Sequence, residues 1–220
     1  VRVTYTPNTA PTSANFSAAQ RLDDSGVVDI YFRADDANDD DLKAKLEYAT
    51  SSCRFLPPYD PTLDTTDSAA TSTYGDAKVD NAQAYQIGSS TGYIITSSGA
   101  NNVSVDWLSK TDLPAGDGTY CLRLTLNDLF EDQTAPATTT LTIDNKAPTA
   151  PGQLSLFAKT KDSVTLNFGA TTTETHFSEY KIYYATSSPV DENDYVLGSS
   201  TDPDLGDKYF NDEATTTVYG

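Results

Sequence analysis

An internal repeat constrains this chain more than any other feature. The stretches KLEYATSSCRF around Tyr48 and KIYYATSSPVD around Tyr184 share the pentapeptide YATSS. With Tyr48 set on Tyr184, an offset of 136, the match runs backwards without a gap. Val28 falls on Val164, Phe32 on Phe168, Ala34 on Ala170 and Lys45 on Lys181, and nine of 25 positions from Val28 to Ser52 are identical. At an offset of 137, NTAPTS from Asn8 meets NKAPTA from Asn145. Whatever folds here must therefore fold twice.

Inside each copy the apolar period is two. Val28, Ile30, Phe32 and Ala34 alternate with Val27, Asp29, Tyr31 and Arg33, which predicts a strand with one buried face. Val164, Leu166, Phe168 and Ala170 repeat it. The next strand places Ala44, Leu46 and Tyr48 inward and Lys43, Lys45 and Glu47 toward water, with Tyr180, Ile182 and Tyr184 as equivalents. NVSVDWLS, GTYCLRLTLND and ATTTLTID continue the alternation, Tyr120, Leu122, Leu124 and Leu126 sharing a face. No stretch carries a 3.6-residue stripe, so the expected class is all-β.

Charge narrows the partners. Fourteen Lys and Arg against 32 Asp and Glu leave a net charge of -18, which repels nucleic acid and anionic lipid and favours cations. With 37% hydrophobic residues, 14 Tyr and 8 Phe the chain can build cores, so disorder is not expected. No apolar run approaches the roughly 20 residues of a membrane span, and none has the form of a signal peptide. The chain opens on Val1, so a processed form or a slice of a longer protein is expected.

The Pro-bearing linker DNKAPTAP, the short alternating strands, LPAGDGTYCLRLTLND and TLTIDNKAPTAP resemble the bacterial immunoglobulin-like and fibronectin type III modules strung along surface proteins. The resemblance covers nearly the whole chain and implies tandem β-sandwiches. Residues 1–9 are then the last strand of a preceding module plus linker, with VRVTYT on TTTLTID. Residues 10–145 form an Ig-like sandwich, and 146–220 a fibronectin III-like sandwich without its last two strands. Those strands would come from a longer chain or from another subunit.

Against this background three features stand out. YQIGSST at Tyr85 and YVLGSST at Tyr195 match at an offset of 110, against 136 upstream, so the first copy holds 26 extra residues between Cys53 and Tyr85. This insertion, near 54–84, contains Pro57, Pro58 and Pro61 and shows little periodicity; it is either a contact surface or a solvated excursion. In the resembled fold, Cys53 and Cys121 lie on neighbouring antiparallel strands with the same outward parity, which implies a disulfide and an oxidising compartment; two buried thiols are the alternative. With His176 alone, the cysteines make no metal-ligand set.

The third feature is ADDANDDDL, with Asp35, Asp36, Asn38, Asp39, Asp40 and Asp41. Six acidic or amide side chains within seven residues repel unless a cation or solvent intervenes, and hard oxygen ligands select Ca²⁺. The Gly and twelfth-position Glu of an EF-hand loop are lacking. The resemblance puts this loop beside NDLFEDQ, with Asn127, Asp128, Glu131 and Asp132, at the pole near Asn8, as in the calcium junctions of cadherin-like arrays. The other reading is a solvated acidic loop. Asn15 and Asn102 head N-glycosylation sequons compatible with export. Trp107 is expected in the core, and no nucleophile motif or framed cleft indicates an enzyme.

Together these readings give an extracellular, cell-surface structural module: a stalk, filament or surface-layer subunit, stiffened by a disulfide and Ca²⁺, contacting copies of itself or neighbouring modules. An adhesin or glycan-binding module, and a noncatalytic spacer of a secreted hydrolase, are the alternatives.

Overall fold

The computed structural model describes residues 6–50, 52–89, 92–167, 172–174, 176–209 and, as backbone alone, 216–219. Phe168 and Ala170 lie outside these residues, as does all but the last of the stretch Val1 to Thr6. Among the described residues the regular structure is almost wholly antiparallel β-sheet, and the chain divides into two compact units, Val1–Lys146 and Ala147–Gly220. Among the described residues no helix is long and apolar enough to cross a membrane.

The first unit contains β1 (Thr12–Gln20), β2 (Val27–Asp35), β3 (Lys43–Thr50), β4 (Ala70–Thr71), β5 (Asn102–Leu108), the single helical turn α1 (Ser109–Asp112), β6 (Asp117–Asn127) and β7 (Ala137–Asp144). One sheet has the order β1-β2-β5-β4 and the other β3-β6-β7. The period-two faces predicted from the sequence meet between them. Val28, Ile30 and Ala34 of β2 are fully buried, as are Leu46 of β3, Trp107 of β5 and Leu122, Leu124 and Leu126 of β6. Burying each large apolar side chain of this kind stabilises by roughly 1.5–3 kcal/mol.

The outward faces carry charge in compensated pairs. Asp29 of β2 stands opposite Asp106 of β5, a like-charge pair that would weaken the ladder. Arg21 lies between them, 2.6 Å from each carboxylate, and the two anions push its guanidinium pKa above the usual value. On the other sheet Glu47 was expected in water and is instead only 4% exposed. Arg123, opposite it on β6, reaches its carboxylate at 2.7 Å, and the Phe55 ring stacks on the guanidinium at 4.4 Å.

Phe55 belongs to a small second core with Ala49 and Cys121 on the outer side of β3 and β6. The Cys53–Cys121 disulfide lies here, where β3 ends against the early part of β6, with Ala49 directly opposite Cys121.

The insertion is not wholly a solvated excursion, although Leu56, Tyr59 and Tyr74 stay exposed. Leu63, Ala69, Ala77 and Val79 enter the main core, Leu63 bridges Trp107, and β4 pairs with β5. Segments within and after the insertion also line the outer edge of β3. The N–H groups of Leu42, Ala44 and Tyr48 donate to the carbonyls of Ile94, Ile87 and Tyr59, and that of Leu46 to Gln86 Oε1 at 3.0 Å. Gln86 Nε2 returns a bond to Leu46 O, so one side chain does the work of a strand residue. Asp112 of α1 fastens the root of the insertion: it accepts from Trp107 Nε1 at 2.6 Å and from both N and Oγ1 of Thr62 at 2.7 Å. Four residues are too few to display helical periodicity, which is why the pattern did not reveal α1.

In the second unit, β8 (Ser155–Lys159), β9 (Ser163–Asn167) and β12 (Thr216–Tyr219) form a sheet in the order β12-β9-β8, which repeats β5-β2-β1. β10 (Ile182–Tyr184) pairs with β11 (Tyr195–Leu197). Tyr180, Ile182 and Leu205 make a small core with Phe177 and Leu197, while Leu156 and Phe157 stay exposed. Among the described residues no strand pairs with the other edge of β10.

Two outcomes test this packing. Leu63→Ala should destabilise the protein by about 2–5 kcal/mol in urea unfolding, as for a core leucine; a loop residue would change stability very little. Opening the Cys53–Cys121 bridge, which closes a separation of 68 residues, should lower stability by about 4 kcal/mol, read by the same unfolding with Cys53→Ser plus Cys121→Ser.

Candidate metal centre

The loop from Asp36 to Asp41 joins β2 to β3, and the loop from Asp128 to Pro136 joins β6 to β7. Neither has regular secondary structure, so short-range bonds from their own acids shape them. Asp36 Oδ1 accepts the N–H groups of Asn38 at 2.7 Å and Asp40 at 3.2 Å, folding the chain back on itself with Asp39 at a positive φ. Asp128 Oδ1 accepts those of Phe130 at 2.8 Å and Glu131 at 2.7 Å, with Leu129 at a positive φ. Thr96 Oγ1 holds the first loop through the carbonyl of Asp40 at 2.8 Å.

These two turns bring Asp36, Asp40 and Asp128 together, each with a carboxylate oxygen within 4.8 Å of the others. Asp128 is fully buried and Asp36 is 8% exposed. Asp36 Oδ2 is buried and has no hydrogen-bond partner. A buried ionised oxygen without a donor is costly, and three carboxylates this close compound the penalty.

The electrostatics divide the trio. Partial burial, then repulsion from Asp36, Asp128 and Asp41, raises the pKa of Asp40 above the ordinary carboxylate value. For Asp128 burial pulls the same way, but the bonds from Glu131 N, Asn8 and Phe130 N outweigh it and lower the pKa. The donors are hard anionic oxygens converging from two loops, chemistry suited to a divalent cation.

The remaining acidic and amide candidates do other work. Asp35 ends β2 and pairs with Arg33 at 2.6 Å. Asp41 is exposed and acts on Asp40 through its charge. Asn127 accepts from Leu129 N and donates to Asp132 at 2.7 Å, and Asp132 also accepts from Tyr85, whose hydroxyl is pushed up to about 12 by burial and by that carboxylate. Asn38 reaches the N-terminal segment: its Oδ1 accepts from Thr9 N at 2.9 Å and its Nδ2 donates to Pro7 O at 3.3 Å. Asn8, which the sequence reading placed only beside the pole, donates through Nδ2 to Asp128 Oδ2 at 2.7 Å and Glu131 Oε1 at 3.1 Å. Its spacing from both loops carries no motif, so only the folded chain reveals the contact.

Of the other candidates, Trp107 is in the core. His176 is exposed. Asn15, at a positive φ where β1 shifts register, and Asn102 are both exposed and line one shallow groove with Tyr31, Thr71 and Ser104. Compared with known proteins, the chain matches no family model, no curated protein and no solved structure.

The opposite shifts of Asp40 and Asp128 give opposite pH signs. A raised carboxyl pKa means that ionised Asp40 opposes folding; the penalty grows as pH rises from the unfolded pKa through the folded one and is fully relieved only below the unfolded pKa. The depressed pKa of Asp128 adds stability that is present above its unfolded pKa and lost as pH falls through the folded one. At pH 7 in chelator, Asp40→Asn should therefore melt above wild type. Asp128→Ala, which strands two amide donors, should lose about 1–3 kcal/mol.

Proposed function

We propose that the chain is a noncatalytic structural module of an extracellular, cell-surface protein, built from tandem Ig-like and fibronectin III-like β-sandwiches. Its acidic pole holds Ca²⁺ and fixes the segment that enters the first unit. The observation that carries this reading is buried Asp36, its Oδ2 without a hydrogen-bond partner, in a trio with Asp40 and Asp128 at the pole where Asn8 and Asn38 grip Pro7 to Thr9.

The physical case is one of compensation. A divalent cation would offset the mutual repulsion of three carboxylates and convert the least favourable corner of the unit into a crosslink between two loops. The Cys53–Cys121 bridge supports an oxidising, extracellular setting. The insertion supports a structural role, because Leu63, Ala69, Ala77 and Val79 are built into the main core. The net charge of -18 argues against nucleic acid and anionic lipid as partners, leaving copies of the chain or neighbouring modules.

Thermal melting with CaCl₂ and with chelator tests the proposal. For a Kd of about 10⁻⁴ M, typical of extracellular modules, Ca²⁺ at a hundredfold excess should stabilise by about 2.7 kcal/mol. Asp36→Ala plus Asp40→Ala should remove the difference. An unchanged wild-type midpoint would sink the reading.

A further inference from the structure

We propose that Asn8 is a switchable ligand of the acidic pole, and that its side-chain amide couples Ca²⁺ binding to the position of the Pro7–Thr9 segment. The proposal rests on the calcium reading above and adds to it a specific ligand and a consequence for the chain that carries it.

The geometry is that of a cation substitute. Asn8 Nδ2 points its hydrogens at Asp128 Oδ2, 2.7 Å away, and at Glu131 Oε1, 3.1 Å away. Two carboxylates thus converge on one weakly positive group. Asp128 Oδ1 is already committed to Phe130 N and Glu131 N, so Oδ2 is the oxygen left for a ligand, and Asn8 covers it. Asp36 Oδ2 has no such cover.

A carboxamide carries donors at one end and an acceptor at the other, and half a turn about its last side-chain torsion exchanges them. With Ca²⁺ at the pole, a donor facing the ion is repelled and an oxygen is attracted. The amide then turns Oδ1 inward and adds a neutral oxygen to those of Asp36, Asp40, Asp128 and Glu131. Water completes the six to eight oxygens that Ca²⁺ takes, whereas Mg²⁺ keeps more of its own water and gains less from an added side chain.

The tether makes the switch matter beyond the ion. Asn38 already clasps the backbone on both sides of Asn8, at Pro7 O and Thr9 N. Without the ion the segment is held by Asn38 and by the Asn8 bonds to Asp128 and Glu131; with Ca²⁺ the Asn8 side chain instead faces a doubly charged ion that also draws in both loops, so the ion and the segment are bound together.

Calcium titration calorimetry and hydrogen exchange on the full 220-residue chain test this, with Asn8→Ala and Asn8→Asp. Wild type should bind Ca²⁺ and exchange the Thr9 amide more slowly in CaCl₂ than in chelator. Asn8→Ala should bind about tenfold more weakly and lose that slowing. Asn8→Asp, which adds a fourth anion to the trio, should melt lower in chelator and bind Ca²⁺ more tightly. If wild type binds no Ca²⁺, the calcium reading and the switch fail together. If wild type binds but Asn8→Ala binds equally well with the same slowing at Thr9, the switch alone is overturned.

Discussion

A buried strand needs hydrogen-bond partners along both edges, and β3 is where this requirement shapes the first unit. On one side β6 pairs with it over its whole length. On the other, Ile94, Ile87, Gln86 and Tyr59 each bond both the N–H and the C=O of one residue, Leu42, Ala44, Leu46 and Tyr48 in turn, so the edge is closed without a continuous neighbouring strand. The consequences spread outward from that closure. Tyr59 lies past the disulfide, Ile87 lies past the insertion, and Ile94 sits next to Thr96, which holds the carbonyl of Asp40. Closing β3 therefore also fixes one of the two loops that make the acidic pole. β10 in the second unit has β11 on one edge, and its core is correspondingly small.

Much of this was legible in the sequence because strands declare themselves in steps of two. The inward residues of β2, β3 and β6 were assigned by parity, and they are the residues the core buries. Parity turned both cysteines outward, and the resembled fold set their strands side by side, where the bridge forms. The insertion was not legible. Its core residues, Leu63, Ala69, Ala77 and Val79, are separated by irregular stretches that make single bridges rather than ladders, so no period links them. Glu47 misled for another reason: alternation says which way a side chain points, but not that Arg123 and Phe55 will come to cover it.

The acidic pole was half legible. Composition marked the loop after β2 as a place where carboxylates crowd, and topology brought NDLFEDQ beside it. Which carboxylates turn inward depends on backbone bonding that composition does not record. Asp36 and Asp128 are the residues whose Oδ1 atoms accept two main-chain amides each, and that role presses them into the interior. Asp35, one position earlier, is still in the strand and faces Arg33. A shift of one residue separates a group aimed at the pole from one aimed at solvent.

The repeat sets Asn8 and Asn145 at equivalent positions, and their side chains keep different company. Asn8 serves the acidic loops of the first unit. Asn145 is buried in the same unit, accepting from Gln20 and donating to Ser109 and Leu113. The same amide is thus a buried peg at one end of the first unit and an exposed hook at the other, so losing the first would leave a hole in the base while losing the second would only uncover a carboxylate.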